Sequence, residues 1–292
     1  MPGQDADTVQ EVRAPVATST AAEEPRIQPS GFLLEMSLDW IVLRASENVA
    51  NFLGESHVTL IDEPLSRFVQ AQALHDLRNH FSRLSGSTGI SRAYRVRLAD
   101  DRPRLDIAFQ VSNGRALLEG VPSPETGLGE AIGAVGGLVD GLAGLSDQAL
   151  LEGAARRVRA LTGYDRCLVE CAGKRAESCR AATLAPSGAI LDVPAIFAET
   201  GAAPVPIFPR KPGDRSVDRA LLKSPSADVL GQLRDLEIGS AMNVPLVLEG
   251  RELGHIQCES RAPREPNLEL HAATELFGQM LALRFEVDRL RG

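Results

Sequence analysis

Large aromatic side chains are scarce in this sequence: one Trp, two Tyr and nine Phe, or 4% of 292 residues. Few platforms are left on which bases could stack. The formal net charge of -8, with no basic run, argues further against direct nucleic-acid binding, which needs clustered Lys and Arg against phosphate. No apolar run reaches the roughly 18 residues that a membrane helix needs. The N-terminus, MPGQDADTVQEV, lacks both the basic and the apolar segment of a signal peptide, so the expected location is the cytoplasm, with no membrane partner. Cysteine is limited to Cys167, Cys171, Cys179 and Cys258. In a cytoplasmic setting these read as reduced thiols. No C-x-x-C pair is present to hold a metal, and small buried hydrophobes are the favoured reading. His57, His75, His80, His255 and His271 do not cluster, no G-x-S-x-G frames a serine, and no carboxylate dyad is found. Gly127, Gly129 and Gly133 have the wrong spacing for a dinucleotide fingerprint and follow no strand. No catalytic residue and no metal ligand is assigned, and the chain does not read as an enzyme.

What is present suffices for two domains: 43% hydrophobic and 24% charged residues in a chain of ordinary two-domain length. Residues 1–25 are rich in Ala, Thr, Glu, Asp and Pro without periodicity and are expected to be a disordered tail. From residue 26 to 122 the pattern gives strands at Phe32–Met36 and Trp40–Ser46, a short helix over Asn48–Leu53 capped by Ser46, and an amphipathic helix over Ala71–Leu84. Strands over Ala93–Leu98, Leu105–Val111 and Arg115–Gly120 follow. This is the element order of a PAS domain. Residues 123–146 form a Gly-rich linker that keeps helical spacing at Leu128, Ile132, Val135, Leu138, Leu142 and Leu145. Each glycine in it lowers helicity by about 1 kcal/mol relative to alanine, so such a helix needs packing from outside, and a second subunit is the expected source. Asp147–Leu161 is a helix stopped by Gly163. Ala241–Leu248 and Leu253–Cys258 form a hairpin about Glu249-Gly250-Arg251.

The hairpin region, LRDLEIGSAMNVPLVLEGRELGHIQCES, resembles the chromophore-binding GAF domain of bacteriophytochromes, whose run goes roughly LRNMGVRASMSISLIVDGKLWGLIACHH. Leu233, Arg234, Met242, Gly250, Leu253, Gly254, Ile256 and Cys258 fall in place. IQPSG at Ile27 to Gly31 resembles the family's IQPHG, TGYDRCLVECA its TGFDRVMVYRF, and HAATELFGQMLALRFE its RAACELLGQLLALQLE. The resemblance spans Arg26 to about Glu286. It implies an α/β (α+β) chain with a PAS domain over 26–122 and a GAF domain over 147–292. Each would have a central antiparallel sheet flanked by helices, and Ile27 and Pro29 would thread a loop of the GAF domain as a figure-of-eight knot.

The family's bilin chemistry is missing from the same alignment. No cysteine precedes Cys167, so the upstream thioether residue is absent. The pyrrole-facing His aligns to Ala227 or Val229, the two His after the cysteine are Glu259 and Ser260, and the pocket Tyr is Glu170. Asp192, Val193 and Pro194 stand at the family's DIP motif. The expected vestigial pocket is Asp192, Val193, Pro194, Val229, Met242, His255, Glu259 and Ser260. The resemblance then implies a non-catalytic phytochrome-like signalling protein without cofactor. It would work through protein contacts at Leu128, Ile132, Val135, Leu138, Leu142, Leu276, Met280, Leu283 and Val287, as a homodimer or with a transcriptional regulator or kinase. The alternative is a sensor that holds biliverdin, haem or another small molecule noncovalently, with His255, Asp192 and Arg215 as contacts.

Overall fold

The computed structural model describes residues 24–84, 89–125, 129–180 and 198–291. The expected tail, Leu128 and the Asp192-Val193-Pro194 run lie outside them, apart from the tail's last two residues. The first half supplies β1 (Arg26–Ile27), β2 (Phe32–Met36), β3 (Val42–Ser46), α1 (Ala50–Leu53), α2 (His57–Leu60), α3 (Ala71–Ser82), β4 (Ser91–Val96), β5 (Leu105–Ser112) and β6 (Arg115–Pro122). The second half supplies α4 (Glu130–Asp140), α5 (Asp147–Thr162), β7 (Arg166–Cys171), β8 (Lys174–Cys179), β9 (Ala198–Glu199), β10 (Val205–Phe208), α6 (Ala227–Asp235), β11 (Ser240–Leu248), β12 (Arg251–Ser260) and α7 (Leu268–Arg291). Both sheets are antiparallel, with orders β1-β10-β3-β2-β6-β5-β4 and β8-β7-β12-β11-β9. No helix among the described residues is long and apolar enough to cross a membrane.

All five residues of β2 are buried, which one covered face cannot explain. Phe32, Leu34 and Met36 point toward α1–α3, where Trp40, Phe81 and Phe109 meet with ring centroids 5.7 to 6.1 Å apart. Leu33 points the other way, into a second cluster with Leu117, Val121, Ile207, Val217, Leu221 and Leu222. The outer face of the first sheet is therefore covered by the 205–222 segment of the chain's second half. Ser46 departs from its expected role. It is the last residue of β3, its hydroxyl accepts the Leu33 N–H at 3.1 Å, and the residue at the start of α1 is Val49, with no side-chain cap.

The 26–28 segment is gripped on both edges. Arg26 and Ile27 pair with Pro206 and Val205, while Gln28 N donates to Leu222 O and Ser224 N to Arg26 O, both at 2.8 Å. Gln28 Oε1 also accepts Glu199 N at 3.2 Å. This is consistent with the threaded arrangement that the resemblance implies.

Two polar clamps fix the covered face. Arg44 is fully buried; its Nε donates to Pro209 O at 3.0 Å, and its Nη1 reaches Glu35 at 3.2 Å and Asp214 at 3.0 Å. Glu35 also takes hydrogen bonds from Arg115 and from Ser216 Oγ. Glu119 on β6 accepts Leu221 N at 3.0 Å, Leu222 N at 2.7 Å and Gln110 Nε2 at 3.2 Å. Burial outweighs these bonds and pushes the Glu119 carboxyl up to about 7 from an ordinary 4.5. A buried acid whose folded value is raised binds its proton more tightly in the folded chain. Stability from this group is therefore greatest below about pH 4.5 and falls as pH rises through 7, by about 3 kcal/mol in all. Urea unfolding of the wild type and of Glu119→Gln across pH 4.5 to 8 checks this: the variant, which cannot ionise here, should lack that decline.

In the second sheet, Val169, Val244, Leu246 and Ile256 face α5 and α7, joined by Leu151, Val158, Phe277 and Leu281. The hairpin turn is the two-residue Glu249-Gly250, with φ of 50° and 77°, the positive values that a twist-matched hairpin requires. Both strands extend beyond their expected ends. A β-carbon at Gly254 would lie 2.0 Å from Glu170 O, so β7 and β12 meet there only through glycine. The Gly-rich helix α4 finds its packing inside the chain rather than from a second subunit. Val135 and Leu142 are buried with α5 and α7, and Ala131 N donates to Glu269 Oε1 on α7 at 3.0 Å.

Candidate functional site: a sealed sheet face and an exposed helix stripe

Alternation divides the residues of β7, β11 and β12 between two faces. Cys167, Val169, Met242, Val244, Ile256 and Cys258 belong to the α5/α7 core. Arg166, Leu168, Asn243, His255, Gln257 and Glu259 occupy the opposite face, and all are buried. The register places Glu259 opposite Arg166, Gln257 opposite Leu168, and His255 opposite Glu170. Arg166 Nε donates to Glu259 Oε2 at 2.7 Å, and Nη2 donates to the same oxygen. Gln257 Nε2 fills the other oxygen at 2.5 Å. Arg166 and Glu259 are each 1% exposed. Such a pair persists in a protein interior only because each charge is neutralised and hydrogen-bonded by the other.

Among the expected pocket residues, the structure brings His255 and Glu259 to this one face. Val229 lies close by, in a small cluster with Leu230, Leu233, Ile238 and Ala241, the residue opposite Glu259 on β11. Met242 does not join them: it pairs directly with Cys258 inside the α5/α7 core. Ser260 shares the parity of Cys258, and its hydroxyl accepts Asp165 N at 3.2 Å. Arg215 is turned to solvent, 87% exposed and bonded to Asp218. A cleft of about 700 Å³ opens beside the start of α6, lined by Arg26, Thr200, Lys223, Ser226, Leu230 and Arg234 among others. Among the described residues no His, Cys, Asp and Glu converge as a metal site. Cys167, Cys171 and Cys258 are small core residues, and burial pushes the thiol of Cys171 up to about 11 and that of Cys167 well above the ordinary range. Cys179 departs from the expected buried role and is exposed, because it ends the edge strand β8 on its outward face.

Arg166, with Leu168, Asn243 and Gln257, was missed by sequence reading, and Arg166 is the consequential one. It sits in a run that matches the resembling family, so it drew no notice, although its register partner Glu259 did. A second unforeseen cluster joins α7 to β4. Arg92 Nη2 lies 3.0 Å from His271 Nδ1 and donates to Glu275 Oε2 at 2.8 Å. Burial, aided by the Arg92 charge, lowers His271 to about 3.

The helix residues separate just as clearly. Val135 is 1% exposed and Leu138 half-buried, and Leu142, in the turn after α4, is 3% exposed, so of the expected contact residues here only Ile132 is presented to solvent among those described. On α7, Leu276, Met280, Leu283 and Leu290 are exposed, with Leu283 at 54%, and Val287 is half-buried. Successive spacings of four, three, four and three make this a heptad seam along the outside of the helix. Phe277, Leu281 and Phe285 carry the inward face.

The comparisons agree with this architecture. Residues 21–119 match the PAS_2 family, a PAS fold. The chromophore-binding domain of a wild-type Stigmatella aurantiaca phytochrome superposes with a TM-score of 0.71 at 22% identity, covering 88% of this chain and 95% of that one. The chain folds as a phytochrome-like PAS–GAF module. The chromophore-binding domain of an unusual bacteriophytochrome from R. palustris gives a TM-score of 0.72 at 22% identity, covering 91% of this chain and 96% of that one. A longer bacteriophytochrome structure from the photosynthetic bacterium R. palustris gives 0.75 at 22% identity; the PAS–GAF module covers 60% of its length, and 92% of this chain is matched. No curated protein sequence matches the chain significantly. In the PAS–GAF module, the polar face of the second sheet is the one that carries Glu259, at the position where the resembling GAF run has histidine.

Proposed function

We propose that this PAS–GAF module signals without a bilin and without catalysis, through protein contacts made by α7. The observation that carries the reading is the buried Arg166–Glu259 pair, with Gln257 closing its second oxygen. A tetrapyrrole laid on that face would displace a satisfied ion pair and leave two charges to be desolvated again, at a cost of several kcal/mol. The chain also lacks a cysteine ahead of the IQP segment for a thioether.

The working surface is the α7 seam, and its partner is a second copy of the chain. Met280 and Val287 occupy one heptad position and Leu276, Leu283 and Leu290 the other, a pattern suited to a two-stranded pair. A transcriptional regulator or kinase would read the state of that pair. In light scattering the wild type should be a dimer. Leu283→Glu should raise the dimer dissociation constant by roughly a hundredfold or more, because it replaces about 1.5–3 kcal/mol of leucine burial with a charge in the seam. A wild type that stays monomeric at high concentration, or a variant that dimerises unchanged, contradicts this surface.

One observation favours a second reading. The cleft beside α6 carries Arg26, Lys223 and Arg234, cations that suit the carboxylates of a noncovalently held tetrapyrrole. Lys223 is already bonded to Asp218 at 2.6 Å, which weakens that alternative.

A further inference from the structure

β4 closes one edge of the seven-stranded sheet, and a groove of about 430 Å³ runs between it and α3. Its charged lining is Arg83, Arg95, Arg97, His80 and a single carboxylate, Asp76. Asp76 accepts from Gln72 Nε2 at 2.9 Å along its own helix. Elsewhere among the described residues many arginines find carboxylates, as Arg67, Arg92, Arg210 and Arg284 do. Among the described residues, the guanidinium groups of Arg83, Arg95 and Arg97 have no carboxylate at ion-pair distance. Arg95 donates to the carbonyl of Glu125 at 3.3 Å and Arg97 to that of Asp100 at 3.2 Å, which leaves donors on both forks unused.

The backbone of β4 points to the kind of partner. Its register shifts between Ala93 and Val96, with Arg95 at φ 57°. Such a bulge interrupts the row of N–H and C=O groups that an added strand would need. Recognition at this edge therefore falls to side chains. Guanidinium forks match carboxylates in bidentate geometry. A nucleic acid fits poorly, because the net charge of -8 repels a long polyanion beyond the groove and Tyr94 is the only Phe, Tyr or Trp among the described lining residues. We propose that the α3–β4 groove docks a short acidic segment of a partner protein, held by Arg83, Arg95 and Arg97.

The test is fluorescence anisotropy at low salt with the full chain and two labelled probes, a glutamate octapeptide and a thymidine octanucleotide. Arg83→Ala/Arg97→Ala is compared with Arg67→Ala/Arg261→Ala, which removes equal charge away from the groove. These arginines are exposed, and an unchanged thermal transition verifies folding. The octapeptide should bind saturably, and the groove variant should weaken it by about tenfold or more, with the control within about twofold of wild type. Absence of saturable binding to the wild type overturns the proposal. So does equal weakening in the control, which would mean that net charge alone is read. An octanucleotide that binds more tightly than the peptide and is lost in the groove variant would reassign the surface to nucleic acid.

Discussion

Arg44→Met lowers the free energy of unfolding by about 3–5 kcal/mol, read from urea denaturation, because it breaks the fully buried Arg44–Glu35 pair from one side and the half-buried Asp214 contact with it. Arg44 serves two carboxylates, a carbonyl and a serine, and they come from opposite ends of the sequence: Glu35 from β2, and Pro209, Asp214 and Ser216 from the segment that covers the first sheet. Burial pushes Asp214 upward, but the hydrogen bonds from Ser216 and the Arg44 charge outweigh it and hold this carboxyl below the usual range. Without the guanidinium, Pro209 O loses its donor and Asp214 its ion-pair partner, keeping only the weaker charge influence of Lys211. Glu35 keeps Arg115 and Ser216, which limits the loss. Methionine fills the volume without restoring any of these bonds. Glu35→Met in the Arg44→Met background should recover part of the stability, since it removes a buried charge that has lost one of its two counterions. A single variant that costs less than about 1 kcal/mol would mean that the network does not hold the two halves together.

Acid weakens the fold through His271 on α7. The residue is 1% exposed, and its folded value is lowered to about 3 from an ordinary 6.5, chiefly by burial and then by the Arg92 guanidinium that meets Nδ1. The unfolded chain takes up this proton below about pH 6.5 and the folded chain does not. The stability is therefore complete above pH 6.5 and is lost as pH falls toward 3, on the order of 5 kcal/mol over the whole range. The charged and titratable groups around it are Arg92 and Tyr94 of β4 and Glu269 and Glu275 of α7. His271→Gln isolates the histidine, since glutamine still offers Arg92 an acceptor and cannot charge. At pH 7 the two proteins should be of similar stability; at pH 4 the variant should be more stable by about 3 kcal/mol. Parallel pH profiles would contradict this assignment. Glu119 acts in the opposite sense between pH 4.5 and 7, so the two groups together confine the most stable range to mildly acidic conditions.

The elements with local causes were readable in the sequence. The β11–β12 hairpin announces itself through Glu249-Gly250 between two β-capable runs, and α5 through its apolar spacing and Gly163, which takes up a left-handed conformation at φ 68°. What the sequence hid depends on long separations. β10 has only four residues, yet it sits between β1 and β3 and carries the chain's second half onto the first sheet. Arg44 and Asp214 are 170 positions apart. The Arg166–Glu259 contact needs the register of two strands 93 residues apart, and no periodicity encodes that register. Ser46 looked like a helix cap because serine before a short helix usually is one; a backbone N–H on β2 claimed its hydroxyl instead. The α4 glycines raised the question of an outside partner correctly, but the answering surface is α7 of the same chain. The outward stripe of α7 was visible in the spacing from Leu276 to Val287; the structure separates its exposed members from Phe277 and Leu281.

The most direct test of the central claim is an absorbance titration of the purified protein with biliverdin, in darkness and under far-red light. With the Arg166–Glu259 pair closing the second sheet, the spectrum should remain that of free biliverdin at every ratio and should not respond to light. A sharpened far-red band that saturates with protein and changes on illumination would show that the face opens to a bilin, and the proposal of a chromophore-free module would be wrong.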